Sequence, residues 1–410
     1  MEKIYVVGVG MTRFGKLLDR SVKDLTAEAV GAALADAGAR PADLDAAWFS
    51  NAAQGRMEGQ DSIRGEIALR AMGIQGIPMA NVENACASGS TAMNAAVHFL
   101  RAGAGQVALA VGVEKMFSED RARMFALFDG GWDVHAVEET KRQLLALGVG
   151  VEVPAGTTST RPYSVFMDVY AALARFHMKT FGTTREQMAA VAAKNHQHSV
   201  ENPLSQYREA YSVEQVLAAA PIAYPLTLPM CAPVCDGAAA AVLATESALR
   251  RFDPGRAVRV CASALRTGTE RRPEEVEKHV SRRAALAAYE EAGVGPDEIS
   301  VAEVHDATAV GEIIQIENLG FVPFGEGGPA STRGETRIGG RIPVNPSGGL
   351  ESKGHPVGAT GLAQIHELVT QLRGEAGRRQ VEGARIAIAE NGGGLCGIEE
   401  AVCCVTILGK

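Results

Sequence analysis

No stretch of the chain approaches the roughly 18–20 consecutive apolar residues that a bilayer-spanning helix needs, so a helical membrane protein is not expected. Positive charge is in short supply as well. Forty Lys and Arg face 48 Asp and Glu, giving a formal net charge of −8. That balance argues against nucleic-acid binding, which calls for a concentrated basic patch. The opening MEKIYVVGVGMTRFG lacks both the apolar run and the small-residue cleavage site of a secretory leader. The final Thr406-Ile-Leu-Gly-Lys410 is not a peroxisomal Ser-Lys-Leu address, so a cytoplasmic location is the expectation. Cysteine is too sparse for a disulfide framework: seven residues, an odd number, in a long chain with no secretion signal. Cys231-Ala-Pro-Val-Cys235 has no second pair to complete a zinc site, and no metal is expected. Each cysteine is therefore a free thiol, either a small buried hydrophobe or a reactive group.

What the chain has in quantity is internal similarity. Ala37–Ser50 reads AGARPADLDAAWFS, and Ala292–His305 reads AGVGPDEISVAEVH. Gly, Pro, Asp and a following apolar residue recur in the same order at the same spacing. Each segment follows an Ala/Leu-rich stretch of helical periodicity and leads into a short apolar strand, Ala46–Phe49 or Val301–Val304. Ser21 and Asp24 form a capping-box start, and Gly38 stands where a helix C-cap belongs. A second matched pair follows. Cys86-Ala-Ser-Gly-Ser-Thr91 opens a helix toward Leu100, ahead of a strand at Val107–Gly112. His355-Pro-Val-Gly-Ala-Thr360 opens a helix toward Leu372, ahead of a strand at Arg385–Glu390. Helices and strands alternate throughout, which predicts a mixed α/β sheet with helices on its faces. Two halves are expected, at residues 1–250 and 256–410. An insertion at about 116–227, unmatched in the second half, would carry substrate-contacting loops.

The aligned positions put Cys86 opposite His355. Cys86 reads either as a small buried residue ahead of a helix or as a nucleophile. In the second case the free N–H groups and positive helix end would draw its pKa from about 8.5 toward neutral. His355 reads either as a polar helix start or as the base of a cysteine–histidine pair. His305, at a strand end, is a plain cap or a hydrogen-bond donor to a thioester or enolate oxygen. Asn391-Gly392-Gly-Gly394 is expected as a tight turn whose bare N–H groups can form an oxyanion hole. It lacks the Lys-Ser/Thr of a phosphate loop.

These residues carry a family resemblance over essentially the whole chain. Asn84-Ala-Cys86-Ala-Ser-Gly-Ser, Gly112-Val-Glu-Lys-Met116, Phe181-Gly-Thr-Thr-Arg-Glu-Gln-Met188 and Lys194-Asn-His196 form its first part. Asp236-Gly-Ala-Ala, His305-Asp and Asn345-Pro-Ser-Gly-Gly…Gly354-His355-Pro-Val-Gly-Ala-Thr-Gly361 complete it. Together they resemble the thiolase superfamily, in particular its sterol-carrier-protein-2-like and archaeal-type branches. The resemblance implies a five-layer αβαβα fold of two similar halves with a loop domain inserted in the first. It implies a homodimer or dimer of dimers, and coenzyme A as substrate or product with no permanently bound cofactor. It implies a Cys86 acyl-enzyme activated by His355, with His305 binding the second thioester and an oxyanion hole at Cys86 and Gly392. Some relatives also work with a small OB-fold partner.

The sequence departs from the family at the second cysteine. The residues after His305 are Asp306-Ala307-Thr308, without the cysteine of the sterol-carrier branch, and Glu390 fills the usual Cys-x-Gly position. Claisen chemistry requires a base near the acyl α-carbon. Glu390, Cys396, or one of the two histidines acting twice are the available substitutes. The leading expectation is a C-acyltransferase that cleaves 3-ketoacyl-CoA or condenses acyl-CoAs. Transfer from Cys86 to a non-CoA acceptor or with a partner subunit is an alternative. A non-catalytic lipid- or acyl-CoA-binding or aldolase-complex subunit is another.

Overall fold

A computed structural model describes residues 2–410. The first half runs β1 (Ile4–Met11), α1 (Val22–Ala37), β2 (Ala46–Ser50), β3 (Met79–Val82), α2 (Ser88–Arg101) and β4 (Val107–Glu114). A long helical excursion containing α3 (Val165–Phe181) and α4 (Arg185–Ser199) intervenes before β5 (Gly237–Thr245). The second half runs β6 (Val258–Thr267), α5 (Val280–Ala292), β7 (Val301–Glu303), α6 (Ala309–Asn318), α7 (Thr360–Arg373), β8 (Ile386–Gly393) and β9 (Val402–Gly409). No helix among the described residues is long and apolar enough to cross a membrane.

The duplicated sequence folds alike in both copies, for local reasons. Helix α1 ends at Gly38 (φ 64°) and α5 at Gly293 (φ 71°), the left-handed C-cap that glycine adopts without steric cost. Each is followed by a short 3₁₀ turn starting on proline, Pro41–Asp43 or Pro296–Glu298, and then by β2 or β7. Ser21 and Asp24 form the reciprocal capping box at the start of α1.

The strands pair in the order β3-β2-β4-β5-β1-β6-β9-β8-β7. The seam between the halves is short: Ile4–Val6 of β1 against Val258–Val260 of β6. Side-chain alternation lets each half-sheet feed two cores. Ala239, Ala241 and Leu243 of β5 meet Ala387 and Ala389 of β8 in one core, with Ala92, Ala96 and Leu100 of α2 and Leu362, Leu368 and Leu372 of α7 between them. The opposite face of β5, with Ala238, Ala240 and Val242, packs under Leu25, Ala29 and Ala33 of α1. On β9, Cys403, Val405 and Ile407 pack under Ala284, Ala285 and Ala288 of α5. The result is the expected αβαβα layering, with α2 and α7 as the buried middle layer.

The middle layer depends on close backbone contact. A Cβ on Gly112 of β4 would overlap the carbonyl oxygen of Gly358 and sit 2.7 Å from Ser50 Oγ, which donates to that same oxygen at 2.6 Å. Gly112→Ala is expected to destabilise the fold by roughly 1–3 kcal/mol, as overpacking of a dense interior does. Thermal or urea unfolding of the purified variant measures it, and an unchanged midpoint would contradict the packing described.

One local expectation is corrected. Asn391–Gly393 is not a turn: β8 continues to Gly393, and only Gly394 (φ 64°) leaves the strand. These glycines serve close approach. A Cβ at Gly393 would overlap the Asn84 carbonyl oxygen, against the turn that carries Cys86.

Candidate active site

Cys86 sits in the 3₁₀ turn Ala85–Ala87 just before α2. Ala85 takes a left-handed conformation (φ 48°) that an alanine rarely adopts, a local strain next to the cysteine. The start of α7 brings His355 to it across the middle layer. His355 Nε2 lies 3.2 Å from Cys86 Sγ, and Nδ1 lies 2.7 Å from Thr360 Oγ1. Thr360 Oγ1 spends its own proton on the Pro356 carbonyl at 3.0 Å. It therefore accepts from Nδ1–H, leaving the Nε2 lone pair aimed at the thiol. This is the orientation of a base that receives the Cys86 proton.

The thiol itself differs from the expectation. Burial, with the Glu114 carboxylate close by, pushes Cys86 up to about 12, outweighing the N–H groups of Cys86 and Gly394 that favour the thiolate. Burial also holds His355 well below its ordinary range, helped by the nearby His305 and Lys353. The resting pair is a neutral thiol hydrogen-bonded to a neutral imidazole. The helix end does not preform a thiolate because desolvation is the larger effect.

Buried acids brace this geometry. Glu114 accepts from Asn51 Nδ2 (2.7 Å) and from the N–H groups of Ala52 (2.9 Å), Ala53 (2.9 Å) and Gly358 (3.0 Å), tying the loop after β2 to the loop that carries His355. Burial raises it to about 7. Asp236 accepts from the N–H groups of Met116 (2.7 Å) and Phe117 (2.9 Å) and pairs with Lys115 at 3.1 Å. Asp306 accepts from Leu350 N–H (2.7 Å) and Asn195 Nδ2 (3.1 Å), fixing the loop after His305. The acids of the Gly112–Met116, Asp236 and His305-Asp306 motifs thus act as struts.

His305 leaves β7 with its ring 5.1 Å from that of His355, edge to face. Both its ring nitrogens are buried without a protein partner, and burial lowers it to about 4. A neutral imidazole so placed awaits a ligand atom, because an unsatisfied buried polar group is costly. Its two nitrogens, the His355 nitrogens and Cys86 Sγ cluster so that one atom from each residue lies within 4.8 Å of the others. Such a Cys/His/His set has the donors of a soft-metal site. The orientation of His355 serves a thiol–imidazole pair without one.

The remaining candidates separate. Glu390 is buried behind His305: it accepts from the His305 N–H (3.0 Å), Ser281 Oγ (3.0 Å) and Cys403 Sγ (3.3 Å) and is not part of the cavity wall. Burial, then the nearby Glu400, raises it to about 7. Cys396 is exposed on the turn between β8 and β9, outside the cavity. Gly392 pairs with Cys403 inside the sheet, while Gly393 and Gly394 reach the cavity. The N–H that joins that of Cys86 at the sulfur belongs to Gly394, two residues beyond the Gly392 read from sequence.

Cys86, His305 and His355 open into one cavity of about 1490 Å³, roofed largely by the segment between β4 and β5. Phe117, Phe125, Phe128 and Phe166 give it apolar walls, and Lys16, Arg56, Arg121 and Arg161 add cations. Two wall residues escaped the sequence reading, Cys231 and Glu400. Cys231 reads as core in a strand-rich sequence, and Glu400 follows no motif.

Residues 4–213 match the family "Thiolase, N-terminal domain" and residues 262–409 match "Thiolase C-terminal domain-like". The chain belongs to the thiolase family. It is an acyltransferase of the thiolase type. A thiolase relative, the acetyl-CoA acetyltransferase of Methanothermobacter thermautotrophicus, is 40% identical over 400 residues, covering 97% of this chain and 98% of that protein. Sterol carrier protein 2 of Homo sapiens is 39% identical over 95% of this chain and 70% of its own length. Among solved structures, the Ltp2-ChsH2(DUF35) aldolase shares the fold with a TM-score of 0.78 at 24% identity, covering 99% of this chain and 97% of that one. Cys86 lies in the stretch matched by the first thiolase model and His355 in that matched by the second.

Proposed function

We propose that this thiolase transfers acyl groups between coenzyme A thioesters through a covalent Cys86 intermediate, cleaving 3-ketoacyl-CoA with CoA or condensing acyl-CoAs. The carrying observation is the 3.2 Å approach of His355 Nε2 to Cys86 Sγ with the lone pair turned to the thiol. In the first step the thiol adds to a carbonyl carbon as His355 takes its proton. The N–H groups of Cys86 and Gly394 meet the developing oxyanion, an interaction that strengthens as charge builds. In condensation, collapse expels CoA, which leaves with the proton from His355. The acyl group stays on Cys86. His305, whose ring nitrogens lack protein partners, donates to the thioester oxygen of the second substrate. The cations Lys16, Arg56, Arg121 and Arg161 suit the phosphates of coenzyme A, and the phenylalanines suit its acyl chain.

We also propose a cytoplasmic homodimer or dimer of dimers. The strand β3 lies at the outer edge of the sheet, where a second copy can extend it. The likeness to an aldolase named for two components, Ltp2 and ChsH2(DUF35), supports a small OB-fold partner.

The test is cleavage of acetoacetyl-CoA and a longer 3-ketoacyl-CoA with free CoA, followed by intact-mass analysis of the protein. Cleavage with an acyl adduct on Cys86 is the expected result. An adduct without cleavage would redirect the reading to a different acceptor or a required partner. Neither product nor adduct would reduce the protein to a binding or aldolase-complex subunit.

A further inference from the structure

Neither Glu390 nor Cys396 reaches the cavity, but four carboxylates line it, Glu83, Glu119, Asp129 and Glu400, and of these Glu400 alone also lines the chamber behind His305. Glu400 lines the main cavity together with Cys86 and His305, and it also lines a smaller chamber of about 70 Å³ behind His305. Its orientation is built. Oε1 accepts from Gln315 Nε2 at 3.2 Å, and Oε2 lies 3.2 Å from His279 Nε2. His279 Nδ1 accepts from the Ser281 N–H at 3.2 Å, so its Nε2 carries a proton aimed at Glu400. Gly392 leaves room for it: a Cβ there would sit 2.9 Å from Glu400 Cγ. Burial works to raise Glu400, but the positive charge and hydrogen bond of His279, with its own backbone N–H and the nearby His305, outweigh it and bring it down to about 2, keeping it ionised. The wall also holds a second thiol, Cys231. Burial holds its thiol well above the ordinary range, and it donates to the Thr227 carbonyl at 3.5 Å.

We propose that Glu400 is the base that removes the α-proton of the second acyl-CoA, in place of the missing cysteine. This rests on the acyl-transfer reading above. The carboxylate takes a proton from the carbon next to the thioester, and the C–H electron pair moves onto the thioester oxygen, hydrogen-bonded by His305. The enolate carbon then attacks the acyl carbonyl on Cys86. A carbon–carbon bond forms, the carbon–sulfur bond to Cys86 breaks, and the proton held by Glu400 returns through solvent to the Cys86 thiolate. A carboxylate must be ionised to accept the proton, and Glu400 is held in that form beside the cavity that also holds Cys86 and His305.

The experiment uses acetyl-CoA in D₂O. Exchange of its methyl protons reports α-deprotonation, and the mass of the Cys86 adduct reports acylation. In Glu400→Gln, acylation is expected to persist while exchange falls by roughly 10²-fold or more, the scale of a lost general base. Glu400→Asp and Glu400→Asn are equal in length, so their comparison removes packing: the Asp variant is expected to exchange faster. Exchange at the wild-type rate in Glu400→Gln overturns the proposal. So does loss of exchange in Cys231→Ala with Glu400→Gln unaffected. Wild-type protein that never acylates Cys86 would instead overturn the acyl-transfer reading.

Discussion

Cys86→Ala is expected to abolish the acyl adduct and to lower 3-ketoacyl-CoA thiolysis by at least roughly 10⁴-fold, the scale on which covalent catalysis collapses when its nucleophile is deleted. The cause is specific to this geometry. Cys86 alone among the seven cysteines has its sulfur against His355 Nε2. Cys235 lies nearby, but it accepts the His355 backbone N–H at 3.0 Å and is fully buried, so it has no route to substrate. Alanine fits the position without overpacking. The variant is therefore expected to keep its thermal midpoint near wild type and to retain acyl-CoA binding. Intact-mass analysis after incubation with acyl-CoA decides the matter: an adduct of full stoichiometry in Cys86→Ala would place the acyl group elsewhere.

The second large effect is at His355. His355→Ala should slow acylation by roughly 10²–10⁴-fold near neutral pH, and it should change the shape of the pH profile. The thiol is pushed up to about 12. At pH 7 only about 10⁻⁵ of it is ionised without a base, and that fraction rises tenfold for each pH unit until the thiol titrates. The variant's acylation rate should climb along that slope. In the wild type, His355 is held well below its ordinary value and stays neutral at pH 7 and above. It collects the proton during attack, so the profile should be flat there and fall only as acid protonates the imidazole. Rates of acyl-enzyme formation from pH 6 to 10 test this. A flat profile in His355→Ala would mean that another group activates the thiol.

The repeat, the layering and the meeting of Cys86 with His355 were legible because each depends on a local rule. A left-handed glycine after α1 and α5, a proline-led turn, and a strand of three to five residues recur whatever surrounds them. Cys86 and His355 stand at matched positions of the repeat, each a few residues ahead of a middle-layer helix. The misread parts depend on what lies across the fold. The glycines at 392 and 393 look like a turn in sequence because glycine marks turns. In the structure they are thinned strand, flattened to admit Glu400 on one side and the Cys86 turn on the other. The pKa of Cys86 is set by burial and by Glu114, a residue 28 positions away whose arrival no helix-terminus argument contains. Glu400 precedes β9 in an acidic pair, Glu399-Glu400, that reads as an ordinary surface turn. Glu399 instead pairs with Arg271 at 2.6 Å, and Glu400 turns inward.

The thiol and its base lie 269 residues apart, one from each half of a middle layer that both halves must complete. During synthesis, Cys86 emerges from the ribosome long before the imidazole that activates it. The growing chain carries a solvated thiol of ordinary acidity, without that imidazole beside it, until the last quarter of the polypeptide has been made and docked. On the mechanism proposed above, acyl transfer at Cys86 waits for the two to meet, and the appearance of acylation in a refolding or translation experiment marks that moment.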